Sequence, residues 1–405
     1  MLDKKFFKII CFIALLLTSV ISLSSCANNN QLLLLNWGEY INEDLVREFE
    51  EEYNCSVSIS VAESNELFYS KIKSGTTAYD LVIPSDYMVE KMYNKGLLQP
   101  IDFSKLPNYD ENNLLPGAKA IIEQLELTFE DARSYLVPYL WGTFGLMYNK
   151  NKEGLEESIV NNNGWAAYFN HDLLPSGTKV GMYNVPRFTY ATTMFYQNMS
   201  PNIVTKDTIA ISKKILTSTK FSQWGTDQLK KQIASGNLDL AYMYTGDFLD
   251  QLYIELQNGT KLEDISFDIY IPDNTIAFMD NLVIPKKARH VDLAHKFINF
   301  MIKKENAYLN SSVVGYCTPY QASYDMIVNW QTVDEKWKLY FNEEEYGSDW
   351  LKNWSYAMQT YYPLPKASDK VKFKGTVLSN KNITNDDLTD ICLLYTSDAA
   401  DDLLC

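Results

Sequence analysis

The stretch "QLLLLNWGEYINEDLVREFEEEYNCSVSISVAESNELFYSKIKSGTTAYDLVIPSDYMVEKMYNKG", residues 31–96, decides the fold. Continuous or alternating apolar runs predict strands at residues 32–36, 56–64 and 79–86. Apolar residues at helical spacing, with Asn42 as the N-cap of the first helix, predict a helix after each strand. A strand and a helix repeated three times predict an α/β fold with a doubly wound, mainly parallel sheet.

The segments that follow these strands place aromatic rings and carboxylates at one edge of the predicted sheet. They are residues 37–40, 63–66 and 85–87, and the first of them reads Trp-Gly-Glu-Tyr. In open α/β sheets, ligands bind beyond the carboxyl ends of the strands. Because an aromatic face and a carboxylate both attract an organic cation, the sequence indicates a site for such a cation at this edge.

The second half of the chain has a different order of elements. Residues 137–150, "VPYLWGTFGLMYNK", predict a strand that crosses into a second region. The elements predicted in and after that region are strands at 177–182, 238–247 and 278–286 and helices at 188–199, 205–217, 226–235 and 291–303. The strand at 238–247 is expected to end in a turn. Two lobes joined by crossing strands fit this order better than separate domains on a linker.

The N-terminus has the layout of an export signal. Residues 1–25 combine a basic start with an apolar run at residues 9–17, which is too short for an ordinary transmembrane helix. The sequence LSSC, which ends at Cys26, resembles the lipobox of bacterial lipoproteins. We therefore expect lipidation of Cys26 and a lipid-anchored tether at residues 26–30. The alternative is a plain signal peptide followed by a chance cysteine.

The charge and the cysteine content restrict the class of partner. The 405-residue chain has a formal net charge of −15, which becomes −17 when the predicted signal peptide is removed. This acidity argues against a nucleic-acid partner and favours a cationic small molecule, with solubility alone as the alternative. Only Cys55 and Cys317 remain between the lipobox and residue 390, and the chain has three histidines. A disulfide scaffold, a zinc site, a His-based triad and a cofactor are therefore not predicted.

The last residues differ from the preceding part of the chain. The sequence "LLYTSDAADDL", residues 393–403, looks like the translation of a sequencing adapter. Its composition continues neither helix nor strand signals, so residues 391–405 are predicted to be a non-native tail. A genuine acidic tail is the alternative.

Several motifs in this order resemble one protein family. They are "LLNWGEYI" at 34–41, the segment 63–108, "VPYLWGT" at 137–143, "FMDNLVIPK" at 278–286, "INFM" at 298–301 and "GYCTP" at 315–319. Together they resemble the spermidine/putrescine-binding lipoproteins of bacterial ABC importers over about residues 31–365. The resemblance implies a two-lobed, periplasmic-binding-protein-like fold in which each lobe is a mainly parallel sheet flanked by helices.

The resemblance also implies the domain boundaries and the biological role. The first lobe would comprise residues 31–138 and 281–313, and the second lobe residues 139–280 and 314–390. The protein would be a monomeric, extracytoplasmic receptor, lipid-anchored at the cell surface or in the periplasm, and not an enzyme. It would capture spermidine or putrescine between the lobes and deliver it to the permease subunits of an ABC importer.

The same family implies the residues of the site. Its members hold polyamine methylenes against aromatic rings and ammonium groups on carboxylates. The ligand-binding residues implied are Trp37, Glu39, Tyr40, Ser85, Asp86, Tyr87, Tyr244, Phe278, Asp280 and Tyr316. Tyr244 and Phe278 stand where the family usually has tryptophan, and Asp280 matches its most important internal carboxylate. Residues 185–188 read Val-Pro-Arg-Phe where the family commonly has Asp-x-Arg-Glu, so either Asn184 or Asp86 from the opposite lobe is expected to substitute in part.

Two other functions remain open at the level of the sequence. Because both acids are missing from residues 185–188, the ligand could be another cationic or small organic solute. A carboxylate-dependent hydrolase is a less favoured reading, since a pair of acids among Glu39, Glu63, Asp86 and Asp280 could be imagined as catalytic. Single residues also have structural alternatives: Asp280 as a hydrogen-bonded turn residue, and Ser85 as a helix N-cap.

Overall fold

The computed structural model describes residues 30–329 and 375–379. The predicted signal peptide, the lipidation site at Cys26 and the predicted tail at 391–405 lie outside the described residues. Across the two described ranges, no helix is both long enough and apolar enough to cross a membrane.

The first sheet has the parallel arrangement that the sequence predicts. Its strands are β1 Gln31–Asn36, β2 Ser56–Val61 and β3 Leu81–Val82. Strand β1 lies in the centre and pairs in parallel with the other two, and its Leu32, Leu34 and Leu35 are fully buried. Strand β3 is shorter than the predicted strand at 79–86, since Pro84 has no N–H to donate and a helix begins two residues later.

A helix follows each of these strands, as predicted. They are α1 Glu43–Tyr53, α2 Asn65–Ser74 and α3 Asp86–Asn94. Asn42 caps α1 by accepting a hydrogen bond from the backbone N–H of Asp44, and Ser64 caps α2 in the same way through Leu67. Helix α2 ends at Gly75, whose φ of 63° is easily adopted only by a residue without a Cβ.

The second sheet has seven strands and is mixed rather than mainly parallel. The further strands within the described residues are β4 Leu98–Gln99, β5 Val137–Asn149, β6 Val180–Tyr183, β7 Gln223–Gly225, β8 Leu240–Tyr244, β9 Phe267–Tyr270, β10 Thr275–Leu282, β11 Ile284–Pro285 and β12 Gly375–Val377, of which β4 and β11 pair with each other outside this sheet. The strand order is β12-β10-β5-β8-β6-β7, with β9 also paired to β5. The long strand β5 runs antiparallel to β8, β9 and β10, which introduces the mixed character, whereas β6 pairs in parallel with β7 and β8.

Further helices lie along the described part of the chain after β4. They are α4 Pro116–Glu126, α5 Ala132–Tyr135, α6 Leu155–Asn161, α7 Trp165–Phe169, α8 Pro186–Tyr196, α9 Lys206–Ser218, α10 Gln228–Ala234, α11 Thr245–Gln257, α12 Val291–Met301, α13 Lys304–Val314 and α14 Gln321–Val328. Short 3₁₀ turns occur at Phe103–Lys105, Glu111–Asn113, His171–Leu173 and Leu262–Asp264. The predicted helices at 188–199, 205–217, 226–235 and 291–303 are confirmed within a few residues at each end.

Helix α11 is the longest helix that the sequence analysis missed. The expectation that the strand at 238–247 ends in a turn is wrong, because β8 ends at Tyr244 and the helix begins at Thr245. Tyr244 occupies the N-cap position without a capping side-chain hydrogen bond, so the usual start signal is absent. The helical spacing of the buried residues Phe248, Leu249 and Leu252 was the signal that could have revealed it.

Strands β5 and β10 connect the two lobes. They pair over most of the length of β10, and β10 continues toward the first sheet through bridges from Asp280 to Ser85 and from Val283 to Val82. Helix α12 then packs on α1, with the rings of Phe49 and Phe297 4.9 Å apart at their centroids. The chain therefore forms two lobes joined by crossing strands, while the residue boundaries of the lobes stay predictions.

A buried carboxylate fixes the entry to β3. Asp80 is fully buried and lies between β1 and the start of α12. Its Oδ2 accepts hydrogen bonds from the backbone N–H of Leu33 and is 3.0 Å from Nδ1 of His290. Its Oδ1 accepts the backbone N–H groups of Arg289 and His290. Three backbone donors and one ring therefore depend on a single side chain.

We predict that Asp80→Ala lowers the free energy of unfolding by about 3 kcal/mol. Each buried donor left without an acceptor costs about 1–3 kcal/mol, part of which water recovers at the partly exposed positions. Denaturant titration followed by tryptophan fluorescence measures the change. Glu48→Ala, on the exposed face of α1, is the control and should change stability by less than about 0.5 kcal/mol. Equal midpoints for the two variants would contradict this account of Asp80.

Candidate functional site

The sequence-predicted site residues come from both lobes. Those of the first lobe are Trp37, Glu39 and Tyr40, which follow β1, and Ser85, Asp86 and Tyr87 at the start of α3. Those of the second lobe are Tyr244 at the end of β8, Phe278 and Asp280 in β10, and Tyr316 between α13 and α14. Since Asp280 and Ser85 form a backbone bridge, the two sets meet where β10 reaches the first sheet.

Asp280 is the central carboxylate of this region. Its side chain is 5% exposed, and both oxygens accept hydrogen bonds from the first lobe. Tyr40 Oη donates to Oδ2 over 2.7 Å, and Ser85 Oγ donates to Oδ1 over 2.7 Å. Burial raises the pKa of Asp280 to about 6, although these two hydrogen bonds favour the ionised form and lower it. Asp280 is therefore a buried acid poised to change its charge near neutral pH.

Asn65 holds Ser85 in place for its hydrogen bond to Asp280. Asn65, which is buried at the start of α2, donates from Nδ2 to Ser85 Oγ over 3.0 Å. Its Oδ1 accepts the backbone N–H of Ser85 over 3.0 Å. Ser85 occupies the N-cap position of α3, but its side chain makes no capping hydrogen bond. Its hydroxyl is therefore directed at Asp280 rather than at the helix.

Aromatic rings from both lobes surround Asp280. The Tyr40 ring lies 5.0 Å from that of Tyr316, and the Tyr316 ring lies 6.1 Å from that of Phe278. Tyr244 packs on Phe278 with 4.8 Å between ring centroids and on Phe144 with 3.9 Å. Four predicted aromatic residues thus form one cluster, which we call the aromatic wall: Tyr40, Tyr244, Phe278 and Tyr316.

The segment that departs from the resembled pattern contributes to this cluster. Phe188 stands where an acid was expected, and its ring lies 5.0 Å from Phe144, 5.9 Å from Tyr244 and 6.4 Å from Tyr87. Tyr87 therefore joins the wall through Phe188. This side of the site therefore presents an apolar ring and not the acid that the resemblance implied.

Arg187 is the residue of this segment that matches the Asp-x-Arg-Glu pattern. Its guanidinium binds residues outside the aromatic wall. Its guanidinium is buried and donates to the carbonyl oxygens of Pro201 and Ser379 and to Oδ1 of Asn202, at 2.9, 3.1 and 2.9 Å. Burial lowers its pKa to about 10, although the acidic side chains of Glu90 and Glu66 oppose this. Arg187 thus ties α8 to the segment that contains β12.

Asp86 lies beside Asp280 and has backbone partners. Its Oδ1 accepts the N–H of Tyr87 over 2.6 Å, and its Oδ2 accepts the N–H of Met279 over 3.0 Å. Burial and the nearby Asp280 carboxylate raise the pKa of Asp86 well above its ordinary value, against the pull of these two N–H groups. Asp86 connects α3 to β10 in this arrangement, and its expected contact with a ligand stays a prediction.

Trp37 and Glu39 occupy the rim of the site. Trp37 is half-buried, donates from Nε1 to the carbonyl of Ile83 over 2.8 Å and packs on Phe68 at 4.7 Å. Glu39 is exposed and has a φ of 51°, a left-handed conformation. Among the described residues, no hydrogen bond or ring contact links either side chain to Asp280. Their predicted contact with a ligand also stays a prediction.

The site contains a further buried carboxylate, in addition to Asp280 and Asp86, that the sequence analysis did not single out. Asp247, in the first turn of α11, is 6% exposed, and its Oδ1 accepts a hydrogen bond from Tyr316 Oη over 3.2 Å. Its Oδ2 has no hydrogen-bond partner among the residues that the structure describes. Burial raises the pKa of Asp247 to about 6, which the ammonium of Lys230 opposes. Recognition of helix α11 would have shown the direction of this side chain.

This arrangement suits a particular chemical class of ligand. Asp280 and Asp247 lie at two places on the aromatic wall, one bonded to Tyr40 and the other to Tyr316. A carboxylate binds an ammonium group strongly when water is excluded, and ring faces attract cations and methylenes. Buried carboxylates beside aromatic rings therefore favour an organic cation as the ligand.

Comparison with known proteins places the chain in a family. The family described as bacterial extracellular solute-binding protein matches residues 44–339, which is well over half of the chain. The chain belongs to this family. This confirms the prediction of a binding protein rather than an enzyme, and the fold of this solute-binding protein is two-lobed as the sequence implied.

Individual relatives of this chain are named for the binding of polyamines. The spermidine/putrescine-binding periplasmic protein of Salmonella typhimurium is 28% identical over 305 residues, which cover 74% of this chain and 80% of that protein. The putrescine-binding periplasmic protein PotF of Escherichia coli is 27% identical over 315 residues, covering 75% and 81%. The solved structure of the spermidine/putrescine ABC transporter substrate-binding protein PotD from Streptococcus pneumoniae is similar with a TM-score of 0.59 and 26% identity, covering 80% of this chain and 91% of that chain.

The raised pKa of Asp280 predicts how the stability of the protein changes with pH. A carboxyl whose pKa is about 6 when folded and about 4 when unfolded stabilises the fold below about pH 4 and loses that contribution as the pH rises through about 6. We predict that this solute-binding protein loses about 2 kcal/mol relative to Asp280→Asn between pH 4 and pH 7, since each pKa unit is worth about 1.4 kcal/mol and part of the two-unit difference lies below pH 4.

Denaturant titrations of both proteins at several pH values measure this difference. Glu123→Gln, an exposed acid on α4, serves as the control and should follow the wild-type curve. Stabilities of wild type and Asp280→Asn that run parallel from pH 4 to pH 7 would show that Asp280 is not desolvated as described.

Proposed function

We propose that this solute-binding protein captures a polyamine, spermidine or putrescine, and delivers it to the permease subunits of an ABC importer. The observation that carries the proposal is the buried Asp280 beneath the aromatic wall, with hydrogen-bond donors from the opposite lobe. Relatives named for spermidine and putrescine binding support the choice of ligand.

The proposed pose gives each part of the ligand a partner of matching chemistry. One ammonium group binds Asp280 alongside the two hydroxyl hydrogen bonds that this acid accepts, and the methylenes lie along the aromatic wall. Another ammonium group binds Oδ2 of Asp247, which has no hydrogen-bond partner among the described residues. A charge-assisted hydrogen bond contributes about 1.5–3 kcal/mol, and a cation over a ring about 0.5–2 kcal/mol. The remaining members of the proposed set are Trp37, Glu39, Ser85, Asp86 and Tyr87.

The two-lobed architecture suggests how binding is linked to delivery. A ligand that touches Tyr40 in the first lobe and Tyr244 in the second favours the conformation in which these lobes are closed, because only that conformation supplies both contacts. Strands β5 and β10 are the connections about which the lobes would move. The permease would then recognise the closed form.

The proposed location is outside the cytoplasmic membrane, on a lipid anchor at Cys26. Membership of an extracellular solute-binding family supports export, and the lipobox-like LSSC sequence supports lipidation. A diacylglycerol anchor together with amide acylation holds a protein on a membrane surface. We further propose that the protein acts as a monomer, without a nucleic-acid partner and without a cofactor.

One observation keeps a second ligand class open. Phe188 fills the place of an expected acid with an apolar ring, and Val185 replaces the other acid. A ligand with fewer ammonium groups, such as another organic cation, would lose less from this change than a polyamine. The binding experiment below distinguishes these ligands.

We predict that Asp280→Asn weakens polyamine binding at least tenfold without unfolding the protein. The amide removes the negative charge and keeps the shape, and a tenfold change corresponds to about 1.4 kcal/mol. Isothermal titration of the chain without its signal peptide, with spermidine and with putrescine, measures the dissociation constants. Asp264→Asn, an exposed acid in a 3₁₀ turn, is the control and should bind as wild type does.

Two results of that titration would change the proposal. Unchanged affinity of Asp280→Asn would remove Asp280 from the site. An absence of heat from wild type with either polyamine would exclude polyamines as ligands, and other organic cations would be titrated next.

We predict that Cys26→Ser releases the protein from the membrane. Serine cannot form the thioether to the diacylglycerol, so the anchor is lost. Expression in a bacterium, separation of membrane and soluble fractions, and labelling with a radioactive fatty acid measure the change. Cys55→Ser is the control, since Cys55 lies within the folded domain, and it should stay membrane-bound. Fatty-acid label that persists in Cys26→Ser would refute the assigned lipidation site.

A further inference from the structure

A lysine of the protein itself lies against the carboxylate of Asp247. Lys230, on the short helix α10, has a side chain that is 12% exposed. Its Nζ is 2.8 Å from Oδ2 of Asp250 and 3.4 Å from Oδ1 of Asp247. Lys230 therefore bridges α10 to two acids in the first half of α11.

This ion pair is connected to the aromatic wall. Asp247 Oδ1 accepts both from Lys230 and from Tyr316 Oη, which is 3.2 Å away. Tyr316 packs edge-on against Tyr40, whose hydroxyl is bonded to Asp280. The ammonium of Lys230 thus occupies one oxygen of the far acid, while the other oxygen of that acid lacks a partner among the described residues.

The surrounding charges keep Lys230 protonated. Burial favours the neutral amine, but the carboxylates of Asp247 and Asp250 outweigh it and raise the pKa of Lys230 above its ordinary value. Asp227, whose Oδ1 accepts from Tyr183 Oη over 3.2 Å, acts in the same direction. A permanent positive charge therefore lies beside the place where a ligand ammonium would bind Asp247.

If Lys230 only stabilised the fold, its contact with Asp247 would have no explanation. Asp250 alone gives Lys230 a close partner at 2.8 Å, so the ion pair between α10 and α11 does not require Asp247. The contact with Asp247 is longer, at 3.4 Å, and involves the oxygen that Tyr316 also uses. A second ammonium at Asp247 would face like charge at close range in a site from which water is largely excluded, where such repulsion is strong.

We propose that Lys230 is a specificity-determining residue, a tethered ammonium that disfavours ligands with additional positive charge near Asp247. The proposal rests on the proposed function, because it concerns the same site. Repulsion from Lys230 grows with the number of ligand ammonium groups. The wild-type receptor therefore discriminates against spermidine, which has three, relative to putrescine, which has two.

The test compares Lys230→Met with Lys231→Met. Lys231 is the next residue of the same helix and is exposed, so it controls for the loss of one unit of net charge. We expect Lys230→Met to tighten spermidine binding about tenfold and putrescine binding about threefold, because only the buried charge is close enough to repel the ligand strongly. Lys231→Met should leave the ratio of the two dissociation constants within about twofold of wild type. Isothermal titration at low and at physiological salt gives both constants.

Two further variants make the outcome decisive. Lys230→Arg keeps the charge and should keep the wild-type ratio, whereas Lys230→Gln removes the charge, retains a polar group for Asp250 and should behave as Lys230→Met does. An unchanged ratio in both uncharged variants, or weaker binding of both polyamines, would overturn this inference and leave Lys230 as a structural ion pair. A wild-type protein and variants that all bind neither polyamine would overturn the proposed function together with it.

Discussion

The buried carboxylate of Asp280, bonded to Tyr40 and Ser85, is the interaction on which the relation between the lobes depends. Asp280 lies in a crossing strand, and its two hydrogen-bond donors come from the first lobe. Removing a carboxylate from water is costly, and two hydroxyl donors recover only part of that cost, which is why its pKa rises to about 6. A cation at this position would recover much of the remainder. The acid therefore links closure of the lobes to the presence of positive charge.

The aromatic wall and Asp247 provide further groups that would attract a cation. Tyr40 directs a hydroxyl at Asp280 and Tyr316 directs one at Asp247, so the rings that would contact methylenes also hold these acids in place. Phe188 adds apolar surface beside Phe144. Lys230 provides one positive charge of the protein's own beside Asp247. The balance between these charges, rather than the size of the site alone, is what would select the ligand.

The sequence predicted local structure well and side-chain directions less well. Strand β1 and helix α1 were predicted because period and capping are local signals, and Asp280 was chosen because it matches the most important internal carboxylate of the resembled family. Asp247 was missed because α11 starts without a capping side chain, and the helical spacing of the apolar residues after it was not recognised. The mixed second sheet could not be read from the sequence either, since antiparallel pairing of β5 depends on contacts between distant segments.

The most direct test of the central claim is the number of protons released when putrescine binds. Titration calorimetry at pH 6 in two buffers of different ionisation enthalpy measures it, and the amines of putrescine stay protonated throughout. Because the pKa of Asp280 is about 6, the account predicts release of about half a proton from this acid, with a further contribution from Asp247. If the binding heats are identical in the two buffers after subtraction of the heat of dilution, no proton is released. That result would contradict a cation bound at a buried carboxylate.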